Sequence, residues 1–337
     1  MNKRVAAVVV LAVCVLVAAA AMVILPDNDK DSNSNDEVPE GLKEIGVMVN
    51  AGGRWELNGK ITINADGPSD TAAVIVHGSG PVDMDCTVGP NKMYREIAWG
   101  LAQYNVDVLR YDKRTFVYGT ASLDDPAKLT VKEETINDAI AAAELMKERG
   151  YERVFLIGHS MGGMLAPAIV DEAHGLFDGF ISLAGSPRIM PEIQADQNLA
   201  LINSLNRAQI EQIVATEMAK LDRLDSWTES ELLSNKIFGL PAYYVKDMIS
   251  RDAGKIAVDL DVPMLFLQGS ADSQVYADKD FKMWQDLLGD KEEAEFKLYD
   301  GLNHLFMVST LGISAEYQLK GHVGSEIIQD IADFINR

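Results

Sequence analysis

Short unbroken apolar runs recur along the chain at Ala72–Val76, Val106–Leu109, Val154–Ile157, Phe180–Leu183 and Met264–Leu267. A strand with one wet face alternates apolar and polar residues, whereas a strand buried on both faces does not. These runs therefore predict interior strands of a mostly parallel sheet. Amphipathic stretches lie between them, over about 91–104, 130–149, 161–173, 275–288 and 324–336. The clearest starts at Thr130, has Glu133 in place for a capping box, and stops at Gly150. Strand and helix signals that alternate in this way predict an α/β chain with helices on both faces of the sheet. Upstream, Arg54–Leu57 and Lys60–Ile63 flank Asn58-Gly59, which predicts a hairpin turning at that pair. The alternation breaks over about 188–255, where Leu199, Ile202, Leu205, Ile210, Ile213 and Met218 keep helical spacing and no strand run occurs. This segment is expected to be an all-helical insertion. It would lie beside the strand ends, where open α/β sheets bind ligands, so it reads as a cap.

The first 40 residues follow other rules. Val5–Leu25 contains 21 residues with no charged or polar side chain, preceded by Lys3 and Arg4. At ~1.5 Å per residue this run is long enough to cross a bilayer. The expectation is an uncleaved signal anchor over residues 1–25, with the remainder outside the cytoplasm. Cleavage near Ala18–Ala21, which would release a secreted protein, is the alternative. Cys14 follows Leu11-Ala12-Val13 as in a lipobox, but Val13 is too large for that motif and the apolar run continues well past it. Residues 26–40 are polar and acidic and read as a flexible linker. Residues 41–337 remain as one folded domain containing the cap.

Charge narrows the partners. The chain holds 51 acids and 30 bases, a net charge of −21. With the six acids and three bases of the first 40 residues set aside, 45 acids face 27 bases, so −18 belongs to the domain itself. Nucleic acid is excluded as a partner, because phosphate binding needs a basic surface. Any membrane contact is expected through the N-terminal helix only. The two cysteines, Cys14 and Cys86, provide neither a disulfide framework nor a cysteine metal site.

The chemistry gathers at Gly158-His159-Ser160-Met161-Gly162, a G-x-S-x-G sequence between a strand run and a helix start. A serine on such a sharp turn exposes its Oγ, and the following helix N-terminus favours negative charge. Such a nucleophile needs a base and a group to orient that base, following it in the order acid, then histidine. Of five histidines, His159 adjoins the nucleophile, and His77 and His174 precede the expected position. His304, in the loop after the strand pattern Glu295–Tyr299, is preferred to His322 near the final helix. Asp272, in the exit loop of the strand Pro263–Leu267, is the matching acid. Asp261 lies at the wrong end of that strand, Asp278 and Asp280 read as surface acids of the next helix, and Asp300 reads as a turn residue. The backbones of Ser79, in the loop after Ala73–Val76, and Met161 are expected to bind an oxyanion.

Taken together, HGSGP (77–81), LRYDKR (109–114), GHSMGG (158–163), LAGSPR (183–188), LQGSADSQV (267–275) and GLNHLF (301–306) resemble the α/β-hydrolase superfamily. More narrowly, they resemble bacterial carboxylesterases akin to serine aminopeptidase-like hydrolases. The resemblance covers about residues 41–337. It implies an α/β-hydrolase fold and hydrolysis of small carboxylic esters through an acyl-enzyme. Ser160, Asp272 and His304 would take the triad roles, with no cofactor and no metal. Peptidase, thioesterase and acyltransferase activities use the same triad and stay open. So does a membrane-tethered binding protein without catalysis. Thr115 stands where the family usually has glycine, which leaves the loop 112–122 undefined. Arg110, Asp112 and Arg114 are expected to form an ion network beneath the pocket.

Overall fold

The computed structural model describes residues 37–50, 52–119, 128–203 and 205–337. Each apolar run becomes a strand. They are β3 (Thr71–Val76), β4 (Asp107–Tyr111), β5 (Arg153–His159), β6 (Gly179–Leu183) and β7 (Met264–Gly269). With β1 (Leu42–Val49), β2 (Leu57–Asn64) and β8 (Ala294–Tyr299) they form one eight-stranded sheet in the order β1-β2-β4-β3-β5-β6-β7-β8. β1 and β2 are antiparallel, as are β2 and β4, and the other neighbours are parallel.

The period of two along each strand divides the interior into two layers. Ala72, Val74 and Val76 of β3, with Leu156 of β5 and Phe266 of β7, face one layer. It is closed by α3 (Asn137–Glu148), α4 (Met161–Glu172), α9 (Ala253–Asp259) and α10 (Lys282–Leu288). Ala73 and Ile75, with Ile157 and Leu267, face the other. There α1 (Met93–Gln103) and α11 (Ser325–Ile335) pack, the latter through Ile327, Ile331 and Ile335. Burying a side chain of this size contributes ~1.5–3 kcal/mol, which is why both faces of these strands are apolar. The short α2 (Arg114–Tyr118) follows β4. Thr130 caps the turn leading into α3, accepting a hydrogen bond from the Glu133 N–H at 3.0 Å.

Between β6 and β7 lie α5 (Met190–Ala200), α6 (Arg207–Leu221), α7 (Glu229–Ser234) and α8 (Ala242–Ser250), followed by α9. A two-residue ribbon, Lys236–Ile237 against Leu240–Pro241, interrupts the helices, so the segment is not all-helical as expected. The insertion has a small apolar centre of its own, including Ile210, Val214, Leu224, Leu232, Ile237 and Val245.

Two expectations are corrected. Asn58-Gly59 does not turn. It lies within β2, paired with Met48 and Val47, and the hairpin partner is β1. Gly59 serves a close approach instead, since a Cβ there would stand 3.0 Å from the Arg110 carbonyl oxygen of β4. The membrane-anchored placement is corrected too, since nothing in the described residues supports it. Val5–Leu25, Cys14 and most of the expected linker lie outside the described residues. Among the described residues no helix is long and apolar enough to cross a membrane. The longest of them, α6, has 15 residues, against the ~20 apolar residues a span requires.

Candidate active site

Because β3, β5, β6, β7 and β8 run parallel, their carboxyl ends share one edge, and the loops leaving them meet there. Ser160 leaves β5 with φ 55° and ψ −115° and opens α4. A non-glycine residue in the left-handed region costs ~1–3 kcal/mol. Its surroundings impose that conformation: the Ser160 N–H donates to the Leu183 carbonyl at 2.8 Å, and its own carbonyl accepts from the Met164 N–H at 2.9 Å. The turn closes only with glycine on either side. A Cβ on Gly158 would lie 2.3 Å from the Gly162 carbonyl oxygen, and one on Gly162 would lie 2.4 Å from that of Val76.

Asp272 and His304 come together from neighbouring loops, with His304 Nδ1 and Asp272 Oδ2 2.7 Å apart. The other carboxylate positions are filled. Gln268 Nε2 donates to Oδ2 at 3.0 Å, and the backbone N–H groups of Gln274 and Val275 donate to Oδ1 at 2.7 and 3.1 Å. The two loops are joined by backbone hydrogen bonds, Ser270 N–H to Tyr299 O and Ala271 N–H to Leu302 O. Beyond His304, Glu316 organises the loop. It accepts from Asn303 Nδ2 at 2.8 Å, from Ser309 Oγ at 3.0 Å and from the N–H groups of Thr310 and Leu311 at 3.0 Å. Burial alone would raise the Glu316 carboxyl, but these donors hold it below the ordinary range.

Ser79, Ser160 and Met161 line one narrow crevice of about 20 Å³, together with Met164, Ser186, Met190, Ile193, Gln197, Gln274 and Val275. That is room for little more than one water molecule. Three of the wall residues are methionines, whose unbranched side chains repack readily around a larger guest.

The remaining candidates are placed elsewhere. His322 is exposed and pairs with Glu96 at 3.1 Å. His174 is exposed just past the carboxyl end of α4. Asp261 is exposed, and Asp300 accepts from Ser270 Oγ at 3.1 Å. Asp280 is not the surface acid the sequence suggested. It is fully buried, accepting from Arg188, from Ser186 Oγ at 2.5 Å and from the Tyr276 N–H at 2.9 Å. Arg110 pairs with Asp85 and Glu44, and Arg114 pairs with Asp138 at 2.6 Å. Asp112 accepts from the Met84 N–H at 2.9 Å. Among the described residues no group of three or more His, Cys, Asp or Glu side chains could hold a metal ion.

His77 and His159 are buried, and burial, the largest cause, pushes each down to about 3. Both are therefore neutral at physiological pH, and their partners fix the tautomers. His77 Nε2 donates to the Tyr111 carbonyl. His159 Nε2 donates to the His304 carbonyl at 3.0 Å, so its Nδ1 accepts from the Tyr94 hydroxyl at 3.1 Å. That hydroxyl in turn accepts from the Gly78 N–H at 3.1 Å. One chain of hydrogen bonds thus ties the loop after β3 to the loop carrying His304.

A family model described as serine aminopeptidase, S33, matches residues 87–310. The chain belongs to this family. Within these α/β hydrolases it is similar to esterase EstD of Thermotoga maritima, 40% identical over 297 residues, which cover 87% of this chain and 68% of that protein. Solved structures share the fold at low identity. Est1E from Butyrivibrio proteoclasticus superposes with a TM-score of 0.56 at 14% identity, covering 87% of this chain and 99% of its own. The Pyrococcus furiosus esterase Pf2001 gives 0.52 at 14%, covering 88% and 91%. Like them, this hydrolase has helices on both faces of a mostly parallel sheet.

A further group was not legible in its sequence. Lys113 is buried, and its Nζ donates to the Gly78 carbonyl at 2.9 Å while lying 3.5 Å from Glu134 Oε1. Burial pulls the ammonium pKa down, and Glu134 opposes that pull. Glu134 also accepts from Thr115 Oγ1 at 3.0 Å and from the Tyr244 hydroxyl of α8 at 2.8 Å. The non-glycine at 115 is thereby accounted for, while residues 120–127 of its loop lie outside the described residues.

Proposed function

We propose that this hydrolase cleaves carboxylic esters of small molecules through an acyl-enzyme on Ser160. The observation that carries the reading is the His304–Asp272 pair, held by joined loops at the same sheet edge as the strained Ser160 turn. His304 takes the proton from Ser160 Oγ as it attacks the ester carbonyl. Asp272 holds the proton on Nδ1, leaving Nε2 as the basic nitrogen, and stabilises the imidazolium that forms. The N–H groups of Ser79 and Met161 receive the oxyanion, the alcohol leaves with the proton from His304, and water then repeats the sequence on the acyl-enzyme. The 40% identity to a protein named an esterase supports ester rather than peptide cleavage. The insertion between β6 and β7 serves as the cap, since Met190, Ile193 and Gln197 of α5 wall the crevice.

The test uses the purified protein with 4-nitrophenyl esters of increasing acyl length and a fluorophosphonate probe. Turnover with a pre-steady-state burst, and labelling at Ser160, are expected. A folded sample that Ser160 labelling does not reach would overturn the reading.

Lys113 enters as a positioning residue. In a trans peptide the carbonyl and N–H point in opposite directions. By gripping the Gly78 carbonyl, Lys113 therefore aims the Ser79 N–H of the same peptide unit. Loss of one oxyanion donor typically costs ~3 kcal/mol, so a misaimed one in Lys113→Met should lower kcat roughly tenfold to a hundredfold. KM should stay close to wild type, because the oxyanion exists only after attack. Steady-state kinetics that show the loss in KM instead would reject this role.

A further inference from the structure

The wall that α5 gives to the crevice is apolar except at Gln197. Gln197 Nε2 donates to the Gln274 carbonyl at 3.0 Å. A carbonyl only accepts, so this bond fixes which end of the amide is oxygen. That oxygen, Oε1, is buried and has no donor among the described residues. Elsewhere on the same helix, Gln194 Oε1 and Asn198 Oδ1 are also buried acceptors with no donor among the described residues. Asn198 is fixed in the same way, its Nδ2 donating to the Gln194 carbonyl at 2.7 Å. Buried acceptors are nearly always paired, because desolvating one without return is unfavourable. Of the three, Gln197 is the one that lines the crevice, so its oxygen is the acceptor a guest there meets.

We propose that the substrate group bound in the crevice carries a hydroxyl or N–H hydrogen that donates to Gln197 Oε1. The inference rests on the acyl-enzyme reading of Ser160 and refines its substrate class, from carboxylic esters of small molecules to those bearing a donor. Met190, Ile193 and Val275 line the same crevice as the amide, and an apolar setting of this kind strengthens a bond made there and penalises a guest that cannot make it.

The test is a panel of esters in which a hydroxyl and a methyl group occupy the same position, stepped along the acyl arm and then the alcohol arm. 4-Nitrophenyl 3-hydroxybutyrate against 4-nitrophenyl 3-methylbutyrate is one such pair. The readout is the hydroxyl-to-methyl ratio of kcat/KM, which does not depend on how much of a preparation is active. At one position or more the ratio should reach roughly tenfold, the worth of one hydrogen bond to a buried acceptor. It should fall to about one in Gln197→Leu and persist in Gln197→Glu, which keeps an acceptor. A flat ratio across the wild-type panel overturns the proposal, as does a preference that survives Gln197→Leu unchanged. Fluorophosphonate labelling of Ser160 separates the two levels. With labelling and turnover of plain esters intact, a flat panel removes only the donor preference. With neither, the acyl-enzyme reading fails and takes this inference with it.

Discussion

Ser160→Ala should lower turnover of a 4-nitrophenyl ester by about 10⁵–10⁶-fold while leaving the unfolding transition in place. The size of the effect follows from covalent catalysis. On the proposed mechanism no acyl-enzyme forms without Oγ, and only the oxyanion donors and ester binding would remain to assist direct attack by water. His304→Ala should fall as far, because the hydroxyl is a weak nucleophile unless its proton is removed during attack. The double variant should be little worse than either single one, as expected of groups acting as a unit. His322→Ala is the internal control. Its ring is exposed and pairs with Glu96, so most activity should survive. A collapse of His322→Ala equal to that of His304→Ala would overturn the assignment of the base.

Gly162→Ala should be the most damaging small substitution for the fold. The added methyl carbon would stand 2.4 Å from the Val76 carbonyl oxygen and 2.7 Å from that of His77. Both are backbone atoms of a strand end and its exit loop at the centre of the sheet, so neither has a rotamer by which to escape. The expected result is a loss of more than ~4–5 kcal/mol, or no folded protein at all. Gly46→Ala gives the contrast. It lies in β1 with nothing within 4 Å of the added carbon, and its change should stay within about 0.5 kcal/mol. Urea unfolding followed by circular dichroism measures both. If Gly162→Ala matched wild type, the tight strand-to-helix turn described here would be wrong.

What the sequence made legible was local or ordered. GHSMGG declares its turn because both glycines are dictated by atoms within one strand-turn-helix unit and the strand beside it. The meeting of Asp272 and His304 was legible because a parallel sheet sends successive strand exits to one edge, so order along the chain becomes position in space. The misses have physical causes as well. β1 mixes Lys43 and Glu44 with apolar residues because it is the edge strand, and it shows no unbroken run. Asn58-Gly59 carries turn composition, yet its glycine answers to β4, a neighbour no local pattern reveals. Asp280 looked like a surface acid because its partners, Ser186 and Arg188, come from a distant stretch of chain. Lys113, Glu134 and Tyr244 stood apart for the same reason: their meeting depends on packing between α2, α3 and the insertion.

The separate apolar centre of the insertion has an evolutionary consequence. Ile210, Val214 and Val245 are buried within the segment itself, so the residues around them can change without disturbing the layers around the sheet. What it must keep are its fastenings, among them Met190 and Met248 packed into the sheet's layer, the hydrogen bond of Tyr244 to Glu134, and the pairs of Arg188 with Asp280 and of Asp196 with Lys279. Selection can therefore redesign which molecules are admitted while the machinery at the strand ends is inherited intact. New preferences in this lineage should accumulate between Leu183 and Met264.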